Sequence, residues 1–144
     1  MAMRYSFGSQ IHNNIVALVS LTIAVSGFSY SLWRNEQTEK NRNIRTASFE
    51  VLMEVEQLRL IVDSANYEKD KALGNPITGW PHVLLIKDLS HLIDTDTGEA
   101  GDNLYKVWSD NWDSIDSNPD SAQKVTSAIE EMRGQDLKVL RMLR

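Results

Sequence analysis

The chain has 144 residues, no cysteine and a formal net charge of −5 at pH 7. This length suits one compact domain, and the lack of cysteine excludes disulfides, thiolate nucleophiles and cysteine-based metal centres. The excess of basic residues is confined to the first 45 residues, which leaves a charge of −8 on residues 46–144. Because an acidic body repels phosphate backbones, we do not expect nucleic acid as a partner.

Residues 11–33 contain no Lys, Arg, Asp or Glu and predict a transmembrane helix. As an α-helix the segment is about 34 Å long, which matches a hydrocarbon slab of about 30 Å. Tyr30 and Trp33 then fall at one interface, where amphipathic rings anchor membrane spans. We therefore expect residues 1–10 to form an N-terminal tail and membrane lipid to be the partner of residues 11–33.

A cleaved secretory signal is the alternative interpretation of the same segment. Ala24 and Ser26 place small residues where a signal peptidase reads them, and residues 15–25 have the length of a signal's apolar region. Against cleavage, Arg4 is the only basic residue upstream, and the apolar character continues through Leu32. An uncleaved span is favoured. The alternative would release a periplasmic protein cut near Ser26.

Basic residues on the two flanks of the segment predict its orientation. Lys and Arg are retained on the cytoplasmic side of a span, and acidic residues count little. Only Arg4 precedes the span, whereas four basic residues follow it closely: Arg34, Lys40, Arg42 and Arg45. This asymmetry predicts that the domain C-terminal to the span is cytoplasmic.

Small residues recur within the span at alternating spacings of three and four, which places them on one helix face. They are Ala17, Ser20, Ala24, Gly27 and Ser31. Small residues let two helices approach closely in lipid, so this face is a candidate seam for helix packing and dimerisation. The other interpretation is that Gly, Ala and Ser are common in membrane spans.

A long helix is predicted after the span, because no Gly or Pro occurs between Arg34 and Gly74. Residues 34–45 are almost wholly polar and predict a solvated juxtamembrane stalk. An apolar seam with helical spacing follows, which is typical of a helix that packs on another helix. Its members are Ile44, Ser48, Val51, Val55, Leu58, Val62 and Ala65.

The remainder predicts three further helices separated by turn signals. Pro81 suits the first turn of a helix, where its missing N–H costs nothing, and Asn118 followed by Pro119 predicts another helix start. We expect helices at about 81–93, 102–115 and from 119 to the C-terminus, a turn at 94–102, and the first of these helices to be the most buried. The last should bury Val125, Ile129, Met132, Val139 and Leu143.

No segment alternates as a half-buried strand does, so the fold class is predicted as all-α. The predicted architecture is an N-terminal transmembrane helix followed by a bundle of about four helices over residues 46–144. The first and last helices of the bundle are long and the middle pair is short.

Catalytic and metal-binding motifs are not found in the sequence. His82 and His91 are nine residues apart, which places them on opposite sides of one helix and prevents joint metal binding. Asp94 and Gly98 resemble part of a calcium loop, but Tyr105 occupies the position of the bidentate glutamate. We therefore expect a non-enzymatic protein with no catalytic residue, no cofactor and no metal.

Trp80, Trp108 and Trp112 are candidate partner-binding residues, because tryptophan is enriched at binding hot spots. The alternative interpretation is a place in the core, where Trp108 and Trp112 can pack together one helical turn apart. The core interpretation is favoured.

Several short stretches carry a resemblance that extends over most of the chain. They are WRNEQTE at 33–39, NRN at 41–43, GNP at 74–76, GW at 79–80 and DLS at 88–90. With the preceding span, the chain resembles a group of uncharacterised small membrane proteins of proteobacteria. The resemblance implies a single-pass inner-membrane protein and supplies no catalytic residue.

The sequence therefore favours a membrane-tethered adaptor or scaffold that binds a protein partner or a second copy of itself. The alternative is a membrane-anchored sensory or ligand-binding domain. A pocket with apolar walls and a few convergent polar groups would favour the sensor. A filled core with an exposed apolar surface would favour the interaction protein.

Overall fold

The computed structural model describes residues 7–70 and 72–143, with backbone alone for residues 7–13 and Glu68. No strand occurs in these described ranges, and the predicted all-α fold is confirmed. The four α-helices are α1 (Phe7–Asp63), α2 (Gly79–Ser90), α3 (Thr95–Asn111) and α4 (Pro119–Met142). Short helical turns lie at Ser64–Glu68, Pro76–Thr78 and Trp112–Ser114.

The chain divides into two compact units, Met1–Lys40 and Asn41–Arg144. In the first unit, the described side chains from residue 14 onward are all exposed. This part of α1 is long and apolar enough to cross a membrane, a test that a signal sequence also passes. The predicted tail over residues 1–10 lies outside the described side chains, and so do Arg4 and His12.

The second unit is a ring of four helices in which each helix is antiparallel to its neighbours. The order of the helices follows from contacts between residues at the same level along the bundle axis. Helix α1 lies next to both α2 and α4. The contacting pairs are Glu54 with His82, Ser90 with Gly101, Asn103 with Glu131, and Arg59 with Glu130. This up-down-up-down arrangement needs only short connections between consecutive helices.

The apolar seam predicted in α1 is confirmed as core. All its members are buried except Ile44, which is half-buried and packs against the core. The stripe predicted in α4 is confirmed in the same way: Val125, Ile129, Met132 and Val139 are buried, and Leu143 packs against them. The core contacts therefore follow the helical periodicity of the sequence.

The predicted turn at residues 94–102 is wrong, because α3 already begins at Thr95. Asp94 caps the helix by accepting a hydrogen bond from the Thr97 amide at 2.8 Å. The two glycines that suggested a turn permit a close approach to α2. A Cβ at Gly101 would overlap Ser90 Oγ, and a Cβ at Gly98 would press on the His91 ring. Tertiary packing here overrides the low helix propensity of glycine.

The expectation that α2 is the most buried helix is also wrong. Val83, Ile86 and Ser90 are buried, whereas Leu84 and Leu85 on its outer side are exposed. The helix is apolar on nearly all sides, but α1 and α3 cover only one side of it. Its outer side therefore keeps an apolar surface in contact with solvent.

The start of α4 follows the prediction. The Asn118 side chain accepts a hydrogen bond from the Asp120 amide at 3.0 Å, and Pro119 occupies the first turn. The amides of the first turn lack intrahelical partners, so the Asn118 side chain supplies an acceptor for one of them and Pro119 has no N–H that needs one. Helix α4 continues through Gly134 without interruption.

Candidate functional site

An aromatic cluster lies where α2 begins and α3 ends. The ring of Trp80 stands edge-on to the rings of Trp108 at 6.4 Å, Trp112 at 6.0 Å and Tyr105 at 6.1 Å between centroids. Trp108 is wholly buried, whereas Trp80 and Trp112 are half-buried. A Cβ at Gly79 would overlap the Trp108 ring, so glycine lets α2 close onto it.

The cluster therefore places Trp108 in the core of the bundle. Trp80 and Trp112 are the two predicted partner-binding tryptophans that keep part of their surface accessible. The indole N–H of Trp108 has no hydrogen-bond partner among the described residues. Its role is therefore packing, and edge-to-face aromatic pairs stabilise such a cluster beyond their buried area.

The predicted helix-packing seam of the span lies within the exposed part of α1. All five small residues are exposed: Ala17, Ser20, Ala24, Gly27 and Ser31. Next to them, Thr22 donates a hydrogen bond from its hydroxyl to the Leu18 carbonyl at 2.8 Å, which satisfies this polar group inside the helix. The seam remains a prediction.

The bundle also exposes large apolar side chains, and we call this set the outer apolar surface. Its six side chains are between 38 % and 67 % exposed: Phe49, Met53 and Leu60 of α1, and Leu84, Leu85 and Leu92 of and after α2. In α1 the spacing of four and seven residues places them on one face, opposite the buried seam. The contact of Glu54 with His82 shows that α1 lies beside α2.

Carboxylates accompany the outer apolar surface. Glu50 and Asp88 lie on the same outer region of α1 and α2, and neither forms an ion pair within the described part of the chain. Glu54 contacts Nδ1 of His82 at 2.5 Å. The surface is therefore apolar in its centre and acidic beside it.

The basic side chains of the same two segments are directed elsewhere. Arg59 pairs with Glu130 of α4 and with Asp63, and the ammonium group of Lys87 lies 4.3 Å from the centroid of the Tyr105 ring. They are the only Lys or Arg residues in the ranges 46–66 and 79–93. Neither basic side chain of these two ranges is therefore directed over the outer apolar surface.

A second surface feature is an open groove of about 810 Å³ between α3 and α4. Val107 and Ala128 contribute its apolar walls, and its other lining groups are polar or charged, including Lys106, Lys124 and Glu131. Ligand pockets are mostly apolar with a few convergent polar groups. This groove has the opposite balance and resembles a solvated surface.

Asp136 of α4 is the one wholly buried ionisable side chain among the described residues. Its carboxylate oxygens, Ser48 Oγ and Thr97 Oγ1 are buried without a well-formed hydrogen bond in the described part of the chain. Burial raises the pKa of Asp136 from 3.8 to about 6; the nearby Ser48 hydroxyl lowers it, and the charge of Asp94 raises it further. A polar cluster of Asp136, Ser48 and Asp94 thus joins α4, α1 and the start of α3.

The histidines are paired separately with carboxylates. Besides the His82 contact with Glu54, Nε2 of His91 lies 3.2 Å from Oδ1 of Asp102. Among the described residues, no group of three or more His, Asp or Glu side chains converges on one point.

Comparisons with known proteins do not assign a function. The chain matches no protein-family model, no curated protein and no solved structure significantly. The resemblance to small proteobacterial membrane proteins therefore remains a prediction.

Two features of the bundle were missed by the sequence prediction. Asp136 occupies the position between Met132 and Val139 in the apolar stripe of α4, so helical periodicity could have identified it as buried. The outer apolar surface was missed because periodicity cannot show which side of an apolar helix such as α2 remains uncovered.

Proposed function

We propose that this protein is a membrane-tethered helical interaction protein, an adaptor or scaffold without a catalytic site, that binds a protein partner through its bundle. The outer apolar surface is the single observation that carries the proposal. Large apolar side chains grouped on adjacent helices are characteristic of surfaces that another molecule covers.

The proposed tether is the apolar part of α1. Its described side chains are exposed, and its length and composition suffice for a span. The basic residues after it favour a single-pass protein of the bacterial inner membrane with a cytoplasmic bundle. In that setting the membrane concentrates the bundle, so a small interface is enough for binding.

A filled core supports the interaction protein over the sensory alternative. The largest side chains of the core, including Trp108, Leu58 and Ile86, are fully buried in the bundle. The groove between α3 and α4 is open to solvent and lined mainly by polar and charged side chains. A ligand-binding sensor would be better served by an enclosed apolar pocket.

The tether and the orientation are tested together by protease protection. The full chain with a C-terminal tag is expressed in bacteria, and intact spheroplasts are compared with lysed cells after protease treatment. We expect the tagged protein to remain in carbonate-washed membranes at full length and to be degraded only after lysis.

Two other outcomes would change the proposal. Loss of the tag from intact spheroplasts would place the bundle outside the cytoplasm and overturn the orientation. A shortened, soluble product would show cleavage near Ser26 and overturn the membrane tether. A Ser26→Leu variant provides a matched control, because it obstructs a signal peptidase and leaves a membrane span apolar.

A further inference from the structure

The end of α4 carries a buried acid that is not paired with a base. Asp136 is wholly buried, and neither of its carboxylate oxygens has a hydrogen-bond partner among the described residues. The Ser48 hydroxyl of α1, which is also buried, lies near this carboxyl, and Asp94 at the start of α3 acts on it with a like charge. A buried carboxylate in such surroundings is costly, because folding removes its water without an equivalent replacement.

The basic side chains on the elements around Asp136 have other partners. Arg45 of α1 donates a hydrogen bond to the Leu143 carbonyl at 2.6 Å, and the ammonium group of Lys138 lies 3.8 Å from the carboxylate of Asp96. Two further pairs join neighbouring turns of the bundle: Arg133 with Glu56, and His91 with Asp102. The structure therefore gives the Asp136 carboxylate no counter-charge in the described ranges.

The segment of α4 that follows this acid is attached to the bundle by few buried groups. Val139 is its one buried apolar side chain within the described ranges, and Leu143 is half-buried. The pair of Lys138 with Asp96 is exposed, and exposed ion pairs contribute little to stability. The preceding part of α4 is held much more firmly, by Ala122, Val125, Ala128, Ile129 and Met132 in the core. The end of the helix therefore detaches at a lower cost than the rest.

Gly134 lies two residues before Asp136, inside the helix. It is exposed, and a Cβ added there meets no atom within 4 Å, so packing does not require glycine at this position. In this respect it differs from Gly98 and Gly101, whose close contacts exclude a side chain. Glycine in a helix interior weakens the helix relative to alanine, because its backbone loses more freedom on folding. Helix α4 is therefore intrinsically weak just before the segment that carries the buried acid.

We propose that residues 136–142 of α4 form a latch against α1 that opens when Asp136 loses its proton, with Gly134 as the hinge. Opening returns the carboxylate to water and uncovers Ser48 of α1. The latch thus links proton concentration to the exposure of one turn of α1. This inference goes beyond the proposed function and depends neither on partner binding nor on the membrane tether.

The direction of the response follows from the surroundings of the acid in the two states. Burial in the closed latch raises the pKa of Asp136 to about 6, whereas the same carboxyl in water has its ordinary pKa of 3.8. The open state therefore binds the proton less tightly, and opening becomes more favourable as pH rises through this window. With these two pKa values the opening equilibrium increases about ten-fold between pH 5 and pH 8.

Hydrogen–deuterium exchange of the full chain in phosphatidylcholine nanodiscs tests the latch, with mass spectrometry of peptides from α4. Protection is corrected for the pH dependence of chemical exchange. We expect the amides of residues 136–142 to lose protection about ten-fold between pH 5 and pH 8. Low urea concentrations should hardly change their exchange, because local opening exposes little surface. The amides of residues 122–132 should remain at least about ten-fold more protected at pH 8.

Three variants identify the acid and the hinge. Asp136→Asn keeps the shape of the side chain without its charge and should abolish the pH response of the latch. Asp120→Asn is the matched control, at an exposed carboxylate in the first turn of the same helix, and should retain the response. Gly134→Ala should raise the protection of the latch about five-fold at both pH values and leave their ratio unchanged.

Four results would overturn the inference. The first two are a pH response that persists in Asp136→Asn and a response that is lost in Asp120→Asn. The third is equal protection with equal urea dependence in residues 122–132 and 136–142, which would show that Asp136 acts only through global unfolding. The fourth is unchanged protection of the latch in Gly134→Ala, which would refute the hinge.

Discussion

The two outer faces of the bundle differ in character although one core supports both. The face made by α3 and α4 is polar, with Asn103, Lys106 and Lys124 around an open groove. The face made by α1 and α2 exposes the outer apolar surface and acidic groups beside it. The α3–α4 face is therefore well solvated, whereas the α1–α2 face is suited to a partner.

The difference arises from the helices themselves. Helices α3 and α4 carry one apolar stripe each, and the central members of both stripes are buried in the core. Helix α2 continues its apolar character onto the side opposite Val83 and Ile86. A helix that is apolar on all sides is stable in water only with further covering, so α2 is the element from which an interaction is most directly inferred.

A substitution in the shared core should have the largest effect on stability. Trp108→Ala should lower the free energy of unfolding by about 3–5 kcal/mol, because it empties a wholly buried site between α2 and α3. Urea unfolding of the full chain in detergent, followed by circular dichroism, measures this loss. Trp112→Ala removes a half-buried ring and should cost clearly less. Equal losses would show that the cluster is not organised around Trp108.

The polar cluster under α4 predicts a pH dependence. Asp136 has a pKa of about 6 in the fold against 3.8 ordinarily. Between these pH values the folded state holds more protons, so this group lowers stability as pH rises through the window, by about 3 kcal/mol in total. Asp136→Asn should remove that fall and be more stable than the native chain above pH 7.

The difference between the two unfolding profiles, measured from pH 4 to pH 8, isolates this group from the histidines. Ser48→Ala provides a second comparison, because it removes the hydroxyl that lowers the Asp136 pKa and should increase the fall. A native profile that runs parallel to that of Asp136→Asn would contradict the raised pKa.

The contact between α1 and α2 should contribute less to the free energy of unfolding. Glu54 and His82 are in contact at 2.5 Å and are largely shielded from solvent. A double-mutant cycle with Glu54→Gln and His82→Leu should give a coupling energy of about 1 kcal/mol. Strictly additive effects would indicate that this contact does not hold α1 against α2.

The outer apolar surface itself should contribute least to stability. Leu92 is 67 % exposed, and Leu92→Ala should change the free energy of unfolding by less than about 0.5 kcal/mol. The matched change Leu104→Ala, at a wholly buried leucine of α3, should cost about 2–5 kcal/mol. A large loss at Leu92 would mean that this side chain serves the fold.

Much of the fold follows from periodicity in the sequence. The seam of α1 and the stripe of α4 are long and regular, so the buried members Val55, Leu58, Val125 and Ile129 could be predicted from spacing alone. The start of α3 could not, because glycines at 98 and 101 have the local signature of a turn. Their helical state depends on contacts with His91 and Ser90, which are tertiary.

The candidate site was less accessible to sequence reasoning. The sequence offers the tryptophans as candidate binding residues and favours a place in the core, where Trp108 lies; it does not identify Leu84 and Leu85 as exposed. Which side of α2 faces solvent is decided by the arrangement of its neighbours. The direction of Arg59 toward α4, which leaves the surface acidic, likewise depends on the assembled bundle.

Photo-crosslinking on both faces of the bundle in living cells tests the central claim most directly. A photoreactive amino acid replaces Leu85 on the α1–α2 face in one strain and Ser127 on the α3–α4 face in another, both in the full chain. We predict an adduct heavier than the monomer from position 85, whose crosslinked peptide comes from a different protein, with little from position 127. Adducts from position 127 alone, adducts that contain only a second copy of the chain, or none from either position would contradict the account.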